Sequence, residues 1–188
     1  TNGKTSAVNF LSQVFKFNSF SFASTGTLGT FLNQKKYFHN ELTTENPLFI
    51  RRLMSKCTKE SIENIFFEAS SIGIDQGRLE GLNIDHAIIT NISRDHIDYH
   101  KSMDNYIDAK IKLISGNDLE TIALNIDDET ISRRIKELTS EVIFTVSDKN
   151  KNADIFFTLL NQDNDGSIEF KTETPWGKFV VQGKLISK

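Results

Sequence analysis

Four groups of residues, spread along a chain of 188, have types and spacings suited to handling phosphate and metal. The first is Thr1-Asn2-Gly3-Lys4-Thr5-Ser6. A Gly-Lys-Thr at the mouth of a helix is the tail of a phosphate-binding loop. Free backbone N–H groups at a helix N-terminus attract anionic oxygens. The lysine neutralises β- and γ-phosphates, and the threonine hydroxyl reaches Mg2+. The same tripeptide also serves as an ordinary helix cap. The strand and first glycine that would complete such a loop are not in the sequence, so the chain is expected to open inside the motif and to be cut from a longer protein. The second group is Glu68, directly after Ile65-Phe66-Phe67. A carboxylate there stands at the end of a buried strand. Magnesium takes hard oxygen ligands, usually one or two carboxylates beside phosphate oxygens. A solvated strand-end glutamate would leave the same signature.

The third group is Thr90-Asn91-Ile92-Ser93-Arg94-Asp95-His96-Ile97-Asp98-Tyr99-His100, again after an apolar run. A zinc site would draw on more cysteine and clustered histidine than one Cys and four His provide. One histidine on a magnesium, or a hydrogen-bonded loop, remains. The fourth is Lys110. The apolar stripe Met103, Tyr106, Ile107, Leu113, Ile114 places it in the middle of an apolar helix face. A lysine there snorkels outward, pairs with an anion or loses its proton. A neutral, desolvated amine can take up CO2 as a carbamate, turning a cation into a carboxylate-like metal ligand.

The elements that must position these groups alternate. Three-and-four spacing predicts a helix over 4–17, with Ala7, Val8, Leu11, Val14 and Phe15 on one face. Helices are also predicted over 46–57, with Pro47 in the first turn, and over 102–115 and 129–138. Short apolar runs at 20–25, 65–68, 86–91, 121–125 and 142–146 predict strands. This alternation implies βαβ units and a mostly parallel sheet flanked by helices, an α/β fold of the phosphate-loop type. After about residue 153 three strands, 155–160, 168–172 and 178–186, follow one another without helices. Asn164-Asp165-Gly166 and Pro175-Trp176-Gly177 mark their turns, so a small antiparallel subsheet is expected. The expected organisation is an α/β core over 1–150 and a β-rich part over 151–188. Ligands of open α/β sheets sit beyond the carboxyl ends of the strands, which is where Glu68, the Ser93–His96 group and Asn125 fall.

Composition narrows the function. Hydrophobic residues at 38% and charged residues at 25% are globular values. The net charge is −3, with 22 basic and 25 acidic residues mixed and no basic stripe, which speaks against a nucleic-acid partner. No run reaches the roughly 18 apolar residues of a membrane helix, and the start has no signal-peptide apolar core. Cys57, the single cysteine, cannot pair internally and reads as a buried small hydrophobe. A cytoplasmic, monomeric protein is expected.

Taken in order, Thr-Asn-Gly-Lys-Thr, Glu68-Ala-Ser-Ser with Asp75-Gln-Gly-Arg78, Thr90 through His100, Ala109-Lys110 and Leu124-Asn-Ile-Asp-Asp-Glu129 resemble the Mur ligases, and within them the MurE branch. The resemblance covers nearly the whole chain, as the central ATP-binding domain. It implies an ATP- and Mg2+-dependent ligase of peptidoglycan synthesis that adds a diamino acid, meso-diaminopimelate, to UDP-MurNAc-L-Ala-D-Glu through an acyl phosphate. It implies that Gly3, Lys4, Thr5 and Ser6 hold the ATP phosphates and that Asn125 approaches the adenine. Thr5 and Glu68 would hold one Mg2+; His96 would hold a second, with Lys110 beside it as the carbamate. Lys4, His96 and Lys110 would be the catalytic residues. Thr43, Thr44, Ser70, Gln76 and Arg78 would contact the UDP-muramyl substrate. Ile72 and Lys101 depart from the family pattern, where His and Gly are common. An N-terminal UDP-gripping domain and a C-terminal amino-acid-selecting domain would lie outside this chain, so the piece alone is expected to be inactive. A folylpolyglutamate-synthetase-like ligase and a non-catalytic nucleotide-binding module are the alternatives.

Overall fold

A computed structural model describes residues 2–115, 118–135 and 142–184. They form two compact units, Thr1–Leu82 with Ser93–Leu113, and Asn83–Ile92 with Ile114–Lys188.

The first unit holds helix α1 (Lys4–Phe17), strands β1 (Phe22–Gly26), β2 (Gly29–Leu32) and β3 (Lys35–Phe38), helix α2 (Pro47–Lys59), strand β4 (Asn64–Phe67), and helices α3 (Ser71–Asp75), α4 (Ile97–His100) and α5 (Met103–Ser115), the division falling within α5. Its four strands lie in the order β3-β2-β1-β4. β1 and β4 run parallel, from Phe22 opposite Asn64 to Thr25 opposite Phe67, so both chains leave the sheet at the same edge, at Gly26 and Glu68. α1 docks on these two strands through Phe15, whose ring meets Phe66 edge-on at 4.8 Å and Phe22 at 6.3 Å. α2 begins as its sequence demands. Asn46 accepts from the Phe49 N–H at 2.9 Å, and Pro47 occupies the first turn where no N–H is needed. Ile50, Leu53 and Cys57 bury the face of α2 at offsets of three and four, and Leu53 and Cys57 join Ala23, Leu32 and Ile62 in one core. Cys57 is there as the small hydrophobe expected, with burial pushing its thiol pKa up.

Two strands here were not foreseen. β2 and β3 make an antiparallel meander with β1, so this sheet has one parallel pair rather than being mostly parallel. The β2–β3 turn is Asn33-Gln34, both at positive φ, 44° and 71°. That is the conformation a two-residue hairpin needs, usually supplied by glycine. Asn33 offsets part of the strain by accepting from the Phe22 N–H at 2.9 Å.

The second unit holds β5 (His86–Ile89), β6 (Thr121–Asn125), α6 (Glu129–Arg134), β7 (Val142–Ser147), β8 (Ile155–Gln162), β9 (Ser167–Thr174) and β10 (Gly177–Lys184). The order is β10-β9-β8-β7-β6-β5. Strands β5 to β8 are parallel and β8 to β10 antiparallel, the α/β sheet with an antiparallel extension that the sequence predicts. Ala87, Ile89, Ile122 and Leu124 bury one face of the parallel part. The predicted ends of the helix at 138 and of the last strand at 186 lie outside the described residues. Among the described residues no helix is long and apolar enough to cross a membrane.

Candidate functional site at the strand ends of the first unit

The parallel register of β1 and β4 sets the centre of the site. Glu68 continues the ladder by donating its N–H to the Thr25 carbonyl at 3.0 Å, which leaves its side chain at the sheet edge, 3% exposed. Its carboxylate accepts hydrogen bonds from Thr5 and Thr27. The Thr27 N–H reaches Oε1 at 2.9 Å, the Thr5 hydroxyl reaches Oε2 at 2.9 Å, and the Thr27 hydroxyl reaches Oε2 at 3.1 Å. Gly26 makes room for this. A Cβ built on it would stand 2.1 Å from Oε1. Thus Thr5 and Glu68, 63 residues apart, present adjacent hard oxygens, and a cavity of about 170 Å3 lined by Thr5, Gly26, Phe22, Gln34 and Glu68 opens beside them.

Gly3 starts α1 at φ 84°, left-handed backbone that glycine adopts without strain, and no side chain caps the helix there. Lys4 follows, half-buried. Burial and the nearby Lys110 ammonium push its pKa below the ordinary lysine value, and Glu68 and Asp95 only partly counter them. Ser6 is exposed on the first turn. Lys110 is half-buried, with Nζ 5.1 Å from the centroid of the Tyr106 ring, a cation–π contact along the apolar face on which the sequence places it. His96 sits just before α4 at φ 51°, its side chain 47% exposed and Nε2 3.6 Å from Asp95 Oδ2. Among the described residues no three of His, Cys, Asp or Glu gather as a metal cage. An ion at this edge would draw on Thr5, Glu68 and oxygens from outside the protein, the habit of magnesium.

The five residues singled out for the acceptor side form one network with this centre. The Thr44 hydroxyl, buried, donates to the Glu68 carbonyl at 2.7 Å and accepts from the Ser70 N–H at 2.8 Å. Ser70 caps α3 through the Gly73 N–H at 3.1 Å. Arg78 donates to the Thr44 carbonyl at 2.6 Å and, through Nε, to Gln76 Oε1 at 3.0 Å. Thr43 lies next to Thr27, their hydroxyls 3.3 Å apart. Glu45, buried, fixes this loop by accepting from the N–H groups of Glu41 and Leu42.

Sequence reasoning missed Thr27; its position just past the end of a strand was the available signal. It singled out the string that ends in Tyr99 and His100 but not their use, which is to latch α4 to α3. Tyr99 donates its hydroxyl to Asp75 at 2.9 Å, and the buried His100 places Nε2 3.0 Å from Ser71 Oγ. Burial lowers the His100 pKa, and His96 and Lys110 add to the lowering, against the opposing pull of the Asp75 and Asp98 carboxylates.

Asn125 belongs to the second unit. Its Nδ2 donates to the Thr90 carbonyl at 2.9 Å and its Oδ1 accepts from the Asp127 N–H at 3.0 Å, so it braces the ends of β5 and β6. A pocket of about 480 Å3 there is lined by Ile88, Thr90, Asn125, Asp127, Val146 and Phe157. Burial alone would raise the Asp127 carboxyl, but hydrogen bonds from the Ser147 hydroxyl and the Asp148 N–H outweigh it and hold the pKa below the usual range.

Residues 1–188 match the Mur ligase middle domain throughout. The chain belongs to this family. It is 32% identical to the UDP-N-acetylmuramoyl-L-alanyl-D-glutamate--2,6-diaminopimelate ligase of Pseudomonas aeruginosa, over 100% of this chain and 38% of that protein. A solved structure of a ligase of that same name superposes with a TM-score of 0.85 at 27% identity, covering 99% of this chain and 38% of that one. The MurF ligase of Thermotoga maritima, solved in complex with ADP, shares the fold, with a TM-score of 0.61 at 12% identity over 97% of this chain and 38% of that one. This Mur ligase domain therefore spans well under half the length of the relatives it matches.

Proposed function

We propose that the protein carrying this Mur ligase domain is an ATP-dependent ligase of the cytoplasm that joins a diamino acid, meso-diaminopimelate, to UDP-MurNAc-L-Ala-D-Glu. The observation that carries the reading is the double use of Glu68. Its carboxylate receives the Thr5 hydroxyl from the Gly-Lys-Thr helix, and its own carbonyl receives the Thr44 hydroxyl from the acceptor loop. One buried residue thereby ties a phosphate-binding helix to a substrate-binding loop, as a reaction between a nucleotide phosphate and a carboxylate requires.

Two anions, the γ-phosphate and the acceptor carboxylate, must meet. Lys4 and Lys110 repel each other across this edge, and the charge mismatch suits a polyanion between them. Lys4, the amides of Gly3, Thr5 and Ser6 at the helix mouth, and the helix dipole would bind the phosphates. Thr5 and Glu68 fit a magnesium ion in ligand type and spacing; Mg2+ would supply charge neutralisation at the phosphate. His96 would serve a second ion. Conversion of Lys110 to a carbamate would turn its repulsion of Lys4 into attraction. Thr43, Ser70, Gln76 and Arg78 would hold the acceptor, with Thr44 bracing them, and Asn125 would border the adenine. The acceptor carboxylate takes the γ-phosphate, giving an acyl phosphate and ADP. The amine then attacks the carbonyl carbon and inorganic phosphate leaves. Holding the partners in line is the other contribution of the fold.

The test is phosphate release by the full-length protein with ATP and UDP-MurNAc-L-Ala-D-Glu, with diaminopimelate or lysine as the amine and a folate as the control acceptor. Release that needs both the muramyl acceptor and diaminopimelate is expected. Release with folate alone, or none with any pair, overturns the reading. Lys110→Ala is expected to lose turnover and to regain part of it with a short carboxylic acid; full activity without any acid ends the carbamate assignment.

A further inference from the structure

The Thr27 side chain stands between the two halves of the site. Its hydroxyl is 3.1 Å from Glu68 Oε2 and 3.3 Å from Thr43 Oγ1. A hydroxyl has one proton and two lone pairs. The carboxylate is the stronger acceptor, so the proton of Thr27 goes to Glu68, and Thr43 donates to Thr27. The result is a chain of hydrogen bonds, Thr43 to Thr27 to Glu68, in which each bond polarises the next. The Thr27 N–H separately holds Oε1 at 2.9 Å, so Glu68 keeps one anchor whatever the hydroxyl does.

We infer that Thr27 is a positioning residue that makes nucleotide binding and acceptor binding depend on each other, through this hydroxyl. The inference rests on the ligase reading above. A cation drawing on Glu68 Oε2 competes with the Thr27 proton. The proton then turns away from Glu68 toward Thr43, which frees the Thr43 hydroxyl to donate to the acceptor. Nucleotide with its magnesium thus prepares the acceptor loop, and by linkage a bound acceptor tightens the nucleotide equally.

Calorimetry on the full-length protein tests this. The dissociation constant of UDP-MurNAc-L-Ala-D-Glu is measured alone and with a saturating non-hydrolysable ATP analogue and Mg2+. In the wild type the nucleotide is expected to tighten the acceptor by about tenfold, within the usual span of such couplings. Thr27→Val keeps the shape and the backbone N–H and removes the hydroxyl. It is expected to bind each ligand alone but to bring the ratio within about twofold of unity, and Thr27→Ser is expected to restore the wild-type ratio. A merely structural role would weaken both ligands and leave the ratio unchanged. A wild-type ratio in Thr27→Val, no recovery in Thr27→Ser, or a wild-type protein that binds both ligands with no coupling overturns the inference while the ligase reading stands. A wild-type protein that binds neither ligand overturns both.

Discussion

Replacing Gly26 by alanine should push Glu68 off the strand edge. The backbone at Gly26 is not left-handed, so alanine brings no conformational strain of its own. The destabilising part of the effect is the clash of one methyl group. Its carbon would lie 2.1 Å from Glu68 Oε1, 2.4 Å from Cδ and 2.5 Å from Cγ. The carboxylate must retreat by more than about 1 Å to reach ordinary contact. Overpacking of this kind costs about 1–3 kcal/mol. Moving the carboxylate also weakens its bonds from Thr5 and Thr27, each worth about 1.5–3 kcal/mol to a charged acceptor. Against this, alanine restricts the unfolded chain and returns about 0.4–1 kcal/mol. The expected net loss is about 2–4 kcal/mol, read as a lower urea midpoint at unchanged m-value in the full-length protein. Affinity for Mg2+-nucleotide should fall with it. The decisive measurement is the double variant. Glu68→Ala empties the space that the new methyl group needs, so adding Gly26→Ala to Glu68→Ala should cost almost nothing further. Additive losses in the double variant, or a single Gly26→Ala within about 0.5 kcal/mol of wild type, would refute the reasoning.

Lys4→Met should abolish turnover yet raise the thermal midpoint by about 1–2 °C, a small gain because the side chain is only half-buried and its repulsion is screened. Since burial and Lys110 depress the Lys4 pKa below 10.5, the native state binds this proton less tightly than the unfolded chain, so stability rises with pH toward 10.5. That rise should be absent in Lys4→Met when denaturation is followed from neutral to alkaline pH. His100 titrates below 6.5 for burial, so wild-type stability should fall as the pH drops past 6.5, where the unfolded chain takes up the proton first. His100→Gln, scanned by urea midpoint against pH, should lose that part of the acid slope; an unchanged slope would remove His100 as its source. Asp128 caps α6 by accepting from Thr130 and Ile131 and takes the Ile92 N–H at 2.6 Å on its other oxygen. Asp128→Ala should cost about 2–3 kcal/mol in chemical denaturation.

How much of this was legible follows from the kind of signal each part leaves. α1, α2 and the parallel run β5 to β7 carry long apolar periodicities or unbroken apolar runs, and their positions could be read directly. The place of Lys110 on an apolar face was read from spacing alone and is matched by its contact with Tyr106. β2 and β3 were missed because Asn33-Gln34 lacks the glycine that marks a tight hairpin, and because Lys35 to Phe38 is exposed throughout, leaving no alternation to detect. α3 and α4 are five and four residues long, too short for helical periodicity to show. The meeting of Thr5 with Glu68 spans 63 residues, and no local pattern encodes it; it was expected through the family resemblance. The use of the Asn125 amide to brace Thr90 was invisible because the strand pairing that brings them together is non-local.

The last strand has a consequence of its own. All eight residues of β10 are exposed, among the described residues it pairs with β9 alone, and Phe179, Val180 and Val181 are 37–59% exposed. A long apolar rim with unspent N–H and C=O groups invites sheet extension between molecules. Lys178 and Lys184, near its two ends, act as gatekeepers against such stacking, and their partners Glu173 and Asp165 hold them at the rim. A strand added at this rim would have to bury those paired ammonium groups, so preparations of this domain by itself will stay dispersed best where the groups keep their charge, below strongly alkaline pH.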